Sequence, residues 1–492
     1  MMKTGLIHIA QKFGKPGNNY ESSPRVRTAF LLRCIMGFLE KLNGIVWGVP
    51  TLLLIVGVGI YLSVQNGFPQ ITLFFSALRE FIRKCKPGRT ESGKSSYRAL
   101  CTALAATVGT GNIAGVAGAI TVGGPGAIFW MWVSAFLGMA TKYAEATLAV
   151  HYRVADGAGG YTGGPMYMIR KGLHRRWHPL ATVYCIFGIV AALGVGNATQ
   201  VNAVIGGIRS AVSALGFSMS QYWNWVIGVA LCALVGAVLL GGAEKIGSLA
   251  EKIVPLAALF YILLALWLIV ACRDNISGAL WSIFSGAFDP MAVTGGAIGS
   301  FFLAVRTGSA RGVFTNEAGM GTASIAHAGA EVAHPCQQGL MGIMEVFVDT
   351  ILICTLTALV ILTSGIPIPY GLEYGPLVTI QAFTAVCGEW VSIPLAICLC
   401  AFAVATIFGW GFYGLRCAQF LFGLKAWRPF AYVQSAAVIL GAVLGTGTVW
   451  MLAEIVNGLM GIPNLIALIG LSPVLHSLTS QYLLIQKNNP TA

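Results

Sequence analysis

The sequence predicts an all-α polytopic membrane protein of about eleven transmembrane helices: one extra helix, then an inverted five-plus-five repeat. Three observations predict it. Apolar runs of about 20 residues recur along the chain, the length that crosses ~30 Å of hydrocarbon. Hydrophobic residues make up 56% of the 492 and charged residues only 10%, with mean hydropathy +0.77; a soluble chain is roughly a quarter charged. Two of the runs are interrupted at mid-span by glycine and small polar residues.

In chain order, residues 1–43 read as a basic, partly amphipathic tail. Its apolar run AFLLRCIMGFL is broken by Arg33 and followed by no small-residue cleavage site, so no signal peptide is expected. The extra helix is 44–65. Spans at 98–122, 126–150, 181–208, 223–241 and 253–272 form the first repeat (98–272). Spans at 292–325, 340–364, 377–410, 430–449 and 453–475 form the second (292–475), with a cytoplasmic tail at 476–492. Run 377–410 is too long for one crossing and contains Pro394, so a short helix is expected before the true span.

The net charge of +13 fits basic residues collected in cytoplasmic loops and calls for no nucleic acid. Alternate loops carry 19 Lys and Arg against 2. This puts the C-terminus inside and, with eleven spans, the N-terminus outside. The seven basic residues of the N-terminal tail run against that placement. The twelve cysteines form no CxxC pair and read as small hydrophobes, with neither disulfide nor metal implied.

The first interrupted run is ALAATVGTGNIAGVAGAITVGGPGAIFWMW, 103–132. Glycine inside a helix costs about 1 kcal/mol against alanine, and an unpaired backbone group in lipid costs several times that. A helix opened at Gly109-Thr110-Gly111 can be satisfied by cargo: free N–H groups hold a carboxylate, and free carbonyls hold a cation. Close helix packing at small residues is the alternative. A second such run, GSFFLAVRTGSARGVFTNEAGMGTASIAHA (299–328), follows five spans later. That spacing favours an inverted repeat around a midplane site.

The run from GTGNIAGVAGA through GGPGAIFWMW, with GGPMYMI (163–169), ARGVFTNEAGMGTASIAHA (310–328) and GWGFYGLRC (409–417), closely resembles the sodium:alanine/glycine cation symporters of bacteria and archaea. The resemblance implies a leucine-transporter-like fold in a bacterial inner membrane, with a small neutral amino acid and sodium as cargo. It implies main-chain N–H groups around Gly109, Thr110 and Gly111 on the substrate carboxylate. It implies a sodium ion at the carbonyls of Ala105 and Val108 and the Thr406 hydroxyl. Asn112 either joins the ion or caps the second half-helix; Thr107 and Thr110 add hydroxyls or bond back to their own helix. Gln200, Thr406 and Trp410 complete the implied pocket. Gln200 otherwise reads as an interhelical hydrogen bond, and Trp410 as an interfacial anchor. Ala106 stands where relatives of the fold carry a polar residue, which shifts the amine's partner toward Gln200.

The remaining charges read as structural or gating. Glu345 and Asp349 lie four apart on one helix face, either on an ion pathway or, the preferred reading, solvated at the cytoplasmic mouth. Arg306, Arg311 and Glu317 flank the second break as a paired gate or ion pair. Lys142 with Glu145 reads as an interfacial pair, and His327 and His334 as brackets of a cytoplasmic loop. An enzyme is not expected: there is no HExxH, no metal spacing and no convincing Ser/His/Asp set. A proton-coupled transporter would need a titratable group at Ala105, Val108 or Thr406. A transport-inactive sensor on the same fold is the other alternative.

Overall fold

The computed structural model describes residues 36–86, 91–157, 159–296, 300–372, 377–443 and 446–488. Apart from a two-stranded ribbon pairing Val154–Ala155 with Tyr161–Thr162, the regular structure described is helical. The predicted tail up to residue 35 lies outside the described residues.

Helix α1, Met36–Gln65, starts earlier than predicted and is interrupted at Trp47-Gly48, just ahead of Pro50. Leu53, Ile60 and Val64 remain exposed on one side, while Ile55, Val58 and Leu62 are buried. Helix α2, Phe74–Cys85, carries Glu80, Arg83 and Lys84 yet buries Ala77 and Lys84. The first interrupted run forms α3, Glu91–Thr107, and α4, Gly111–Gly123, bent by 49°. There follow α5, Ala127–His151; α6, Arg175–Ala214, with a wide turn at Gly194–Ala198; α7, Tyr222–Leu239; α8, Gly242–Ala271; and α9, Ile276–Phe288.

The second interrupted run forms α10, Phe301–Asn316, and α11, Thr322–His327. Helix α12, Pro335–Thr363, contains a wide turn at Phe347–Cys354. Run 377–410 divides at Gly388 (φ 85°) into α13, Leu377–Cys387, and α14, Glu389–Phe422. Helices α15, Trp427–Val443, and α16, Thr446–Asn488, complete the chain. The predicted tail at 476–492 is helical as far as Asn488, because no glycine or proline after Pro473 stops it before residue 490.

Among the described residues, seven helices are long and apolar enough to cross a membrane, or eight if the bent α3–α4 pair is one span. Predicted spans 126–150, 292–325 and 430–449 fall on α5, α10–α11 and α15. Lys142 and Glu145 lower the apolarity of α5, the second is broken, and α15 is short at 17 residues. Helix α5 packs along α12 and α10, while α14 packs against α6, α8 and α3. The two breaks are enclosed between these layers.

Candidate transport site

Helix α3 loses its regular hydrogen bonding after Val108, whose N–H still reaches Leu104 O at 2.8 Å. The Gly109 N–H leaves the ladder and donates to Asn112 Oδ1 at 2.8 Å. Backbone pairing resumes when Asn112 N donates to Gly109 O and Ala114 N to Thr110 O. No hydrogen bond among the described residues uses the carbonyls of Ala105 and Val108 or the N–H groups of Thr110 and Gly111. Buried main-chain groups are seldom left in that state.

Helix α14 brings its polar group to the same place. A Cβ on Gly109 would fall 2.6 Å from Thr406 Oγ1, and one on Gly409 would fall 2.8 Å from Ala106 N. Gly409 is therefore required by the close approach of the α3 backbone, and Gly109 by the Thr406 side chain. The Thr406 hydroxyl is buried and without a hydrogen-bond partner. From α6, Gln200 Oε1 accepts from Thr110 Oγ1 at 3.0 Å, and its amide donates to Val195 O and Thr199 Oγ1. Trp410 is buried against α6, its Cβ 2.0 Å from where a Cβ of Gly196 would lie. It is also a polar neighbour of Glu317. Burial at 1% exposure excludes the interfacial-anchor alternative for this tryptophan. The structure thus gathers Gly109, Thr110, Gly111, Gln200 and Thr406. Thr107 is turned away, its hydroxyl bonding back to Ala103 O at 3.2 Å.

Asn112 bridges the break from Gly109, and its amide nitrogen donates to Asp349 Oδ1 at 2.7 Å. Asp349 is completely buried against the break, which corrects its expected place at a solvated mouth. Its Oδ2 accepts from Thr350 Oγ1 at 2.8 Å, and Thr350 Oγ1 accepts from Asn316 Nδ2 at 3.2 Å. Asn316 Oδ1 in turn accepts from Ala318 N at 2.9 Å. One asparagine serves each break, and a buried Asp–Thr pair on α12 joins them.

The second break, 317–321, is built differently. Glu317, Gly319 and Gly321 have φ of 53°, 95° and 78°. The freed N–H groups of Gly319 and Gly321 donate to Glu145 Oε1 at 2.9 and 3.0 Å, and Asn464 Nδ2 donates to the same oxygen at 2.7 Å. A carboxylate of the protein itself takes the place that cargo was expected to fill at this break. Glu145 is therefore not an interfacial partner of Lys142. The Lys142 ammonium, wholly buried, lies 3.1 Å from Glu345 Oε1. Glu345 is likewise buried rather than solvated, and its Oε2 accepts from His327 Nε2 at 2.8 Å. His327 lies inside the bundle, not in a loop.

The predicted grouping of Arg306, Arg311 and Glu317 also separates. Glu317 accepts from the Thr322 hydroxyl, whereas Arg311 Nη1 lies 3.3 Å from Glu454 Oε1 on α16. Arg306 and Arg311 line a cavity of about 240 Å³ near Val122, with Asn43, Trp47 and Glu454. A second cavity, of about 330 Å³, lies at the other end of α3, beside Lys94, Arg98 and Thr102. Buried Thr110, Asn112 and Thr406 lie between the two ends.

Sequence reasoning missed Asn316, Asn464 and the roles of Glu145, Lys142 and His327. The usable signal was position: Lys142 and Glu145 fall well inside α5, where charge is costly unless functional or paired.

A broken helix with unsatisfied polar groups at its centre, in a polytopic bundle with a cavity toward each end, defines a membrane transporter. The chain belongs to the sodium:alanine symporter family, whose description matches residues 33–491. It is 41% identical over 457 residues to the sodium/alanine symporter AgcS of Methanococcus maripaludis, covering 92% of this chain and 98% of the relative. It is 36% identical over 446 residues to the "Probable sodium/glutamine symporter GlnT" of Bacillus subtilis, covering 89% of each. Its fold is shared with MhsT, solved in complex with L-phenylalanine, at a TM-score of 0.55 and 12% identity, covering 78% of this chain and 97% of that one. The protein is accordingly a multi-pass, sodium-coupled amino-acid symporter and not an enzyme.

Proposed function

We propose that this symporter imports a small neutral amino acid, alanine or glycine, together with sodium by alternating access across a bacterial inner membrane. The observation that carries the reading is the convergence of unused polar atoms at the first break. The carbonyls of Ala105 and Val108 and the orphaned Thr406 hydroxyl are hard oxygen donors suited to sodium. The free N–H groups of Thr110 and Gly111 suit the cargo carboxylate, at the positive end of α4. Gln200 Oε1 keeps a lone pair for the cargo ammonium beside its bond from Thr110. Trp410, held against Gly196, limits the side chain that fits. Asn112 has its oxygen committed to Gly109, so its part is to hold the break open rather than to bind the ion.

The chain is laid out as eleven spans, one before a five-plus-five inverted repeat, with the C-terminus cytoplasmic and the N-terminus outside. The end of α3 near Lys94 and Arg98 then faces the cytoplasm, and Arg306 and Arg311 sit on the outer side. Sodium orders the open backbone, the amino acid binds beside it, and both stabilise the same enclosed arrangement. At 100 mV each co-transported charge supplies about 2.3 kcal/mol, roughly fifty-fold accumulation. Uptake of labelled alanine into proteoliposomes under a sodium, potassium or pH gradient tests the reading. Uptake driven by sodium alone is expected, and uptake indifferent to sodium overturns it.

A further inference from the structure

Helix α1 stands ahead of the broken α3–α4 pair, and its first turns meet α10 and α16 around the cavity that holds Arg306. Asn43 Nδ2 donates to Glu454 Oε2 at 3.1 Å, and Trp47 Nε1 donates to the Glu454 carbonyl at 3.0 Å. Arg311 Nη1 donates to the other carboxylate oxygen, Oε1, at 3.3 Å. Glu454 is thus engaged by α1 on one oxygen and by α10 on the other.

Two groups on this cavity are left over, and they are of opposite kinds. Arg306, Arg311 and Glu454 are the charged residues lining it. Arg311 and Glu454 pair with each other, so Arg306 adds a surplus positive charge. Among the described residues no hydrogen bond or ion pair engages its guanidinium, which is exposed at the cavity. Asn43 Oδ1, by contrast, is a buried acceptor that receives no donor. The amide cannot flip to hide that oxygen, because its nitrogen is held by a carboxylate, which only accepts. A buried amide oxygen left in this state calls for a donor from elsewhere.

We infer that this cavity is an outer antechamber for an α-amino acid zwitterion, its carboxylate on Arg306 and its ammonium on Asn43 Oδ1. The guanidinium fork matches a carboxylate, and an ammonium has three protons to donate. An inorganic anion would use Arg306 but leave Asn43 Oδ1 stranded; a simple cation would meet two arginines. The zwitterion answers both. The volume of about 240 Å³ falls below the roughly 300–1,000 Å³ of pockets for larger ligands, which suits alanine or glycine. Val122, Phe314 and Trp47 give a short side chain an apolar wall, with the last two rings edge to face at 6.2 Å.

The antechamber leads to the first break along one face of α10. Arg311 lies over α4, its Nε 3.9 Å from where a Cβ on Gly118 would be. One turn further along α10, about 5.4 Å, Thr315 Cγ2 comes within 3.6 Å of the corresponding point on Gly111. A carboxylate leaving Arg306 therefore passes Arg311 on its way to the free N–H groups of Thr110 and Gly111. Helix α1 acquires a role by this route: its Asn43 and Trp47 complete the entrance.

The inference rests on the proposed cargo and on the proposed outer side, and its test separates it from both. Alanine binding to the purified full-length protein is followed by saturation-transfer NMR in potassium buffer, where the deep site lacks the sodium that orders it. The Gly109→Ala protein, whose added methyl crowds the deep site, provides a second such background. Alanine is expected to bind in both. Arg306→Gln should weaken that binding roughly tenfold, Asn43→Ala should do the same, and Arg306→Lys should retain part of it. Arg306 is exposed, so its variants should melt like the parent. Propionate and ethylamine, each carrying half of the zwitterion, should displace alanine only at roughly tenfold higher concentration. No alanine signal in potassium, binding that ignores Arg306→Gln, or propionate as effective as alanine overturns the antechamber. If binding follows Arg306 while uptake ignores sodium, the transport reading fails and the antechamber stands. If sodium drives alanine uptake but nothing binds in potassium, only the antechamber fails.

Discussion

Thr406 is the residue on which the sodium assignment turns, because its hydroxyl is buried with nothing to bond. A hydrogen-bonding group on a charged partner contributes about 1.5–3 kcal/mol, so Thr406→Ala is expected to raise the sodium concentration for half-maximal uptake roughly 10- to 100-fold. Sodium titration of uptake at fixed alanine measures this, and an unchanged midpoint removes Thr406 from the ion site. Gly109→Ala drives a methyl toward that same oxygen, 2.6 Å away, and should abolish transport while the protein still reaches the membrane. Trp410→Phe should admit larger side chains, read as competition of alanine uptake by valine or leucine. The residues meeting at the first break were legible because glycine, threonine and glutamine have few other uses in an apolar span. Asn316 and Asn464 were not, since an asparagine bonding to backbone 145 residues away in sequence leaves no local pattern.

Among the elements, the two broken helices look alike in composition but are satisfied by different means. The first leaves the N–H groups of Thr110 and Gly111 and the carbonyls of Ala105 and Val108 free; the second gives the amides of Gly319 and Gly321 to Glu145. Glu145→Ala would strand the two buried N–H groups of Gly319 and Gly321, each costing about 1–3 kcal/mol, while the Asn464 amide would keep only its bond to Gly319 O. It is expected to lower thermal stability sharply, with Glu145→Gln recovering much of the loss through its side-chain oxygen. Melting curves in detergent check the order; a Glu145→Ala protein as stable as the parent would falsify the anchoring role. Helix positions were legible from the apolar runs, because hydrocarbon thickness sets their length. Their ends were less so. Helix α8 starts at Gly242 rather than near 253, and α16 continues to Asn488, since polar helix outside the lipid carries no length constraint. The burial of Lys142 and Glu345 was hidden for another reason: mutual pairing across α5, α11 and α12 makes tolerable a charge that a single helix could not hold, and Asp349 is instead held by the neutral donors Asn112 and Thr350.

For the whole molecule, the proposed mechanism, in which both ligands stabilise one enclosed state, makes ion and amino acid thermodynamically reciprocal. Alanine should raise the melting temperature more in sodium than in potassium, and sodium more with alanine present than without. Equal shifts in both salts would remove the coupling. The Asn112–Asp349–Thr350–Asn316 bridge joins the two interruptions by a continuous run of buried hydrogen bonds. Glu145 adds a consequence for capacity. The proposed inverted repeat would offer a berth at each of its twin openings, but the amides of the second are taken by a built-in anion, Glu145. Under the proposed mechanism the amino acid therefore finds its carboxylate berth at the first opening.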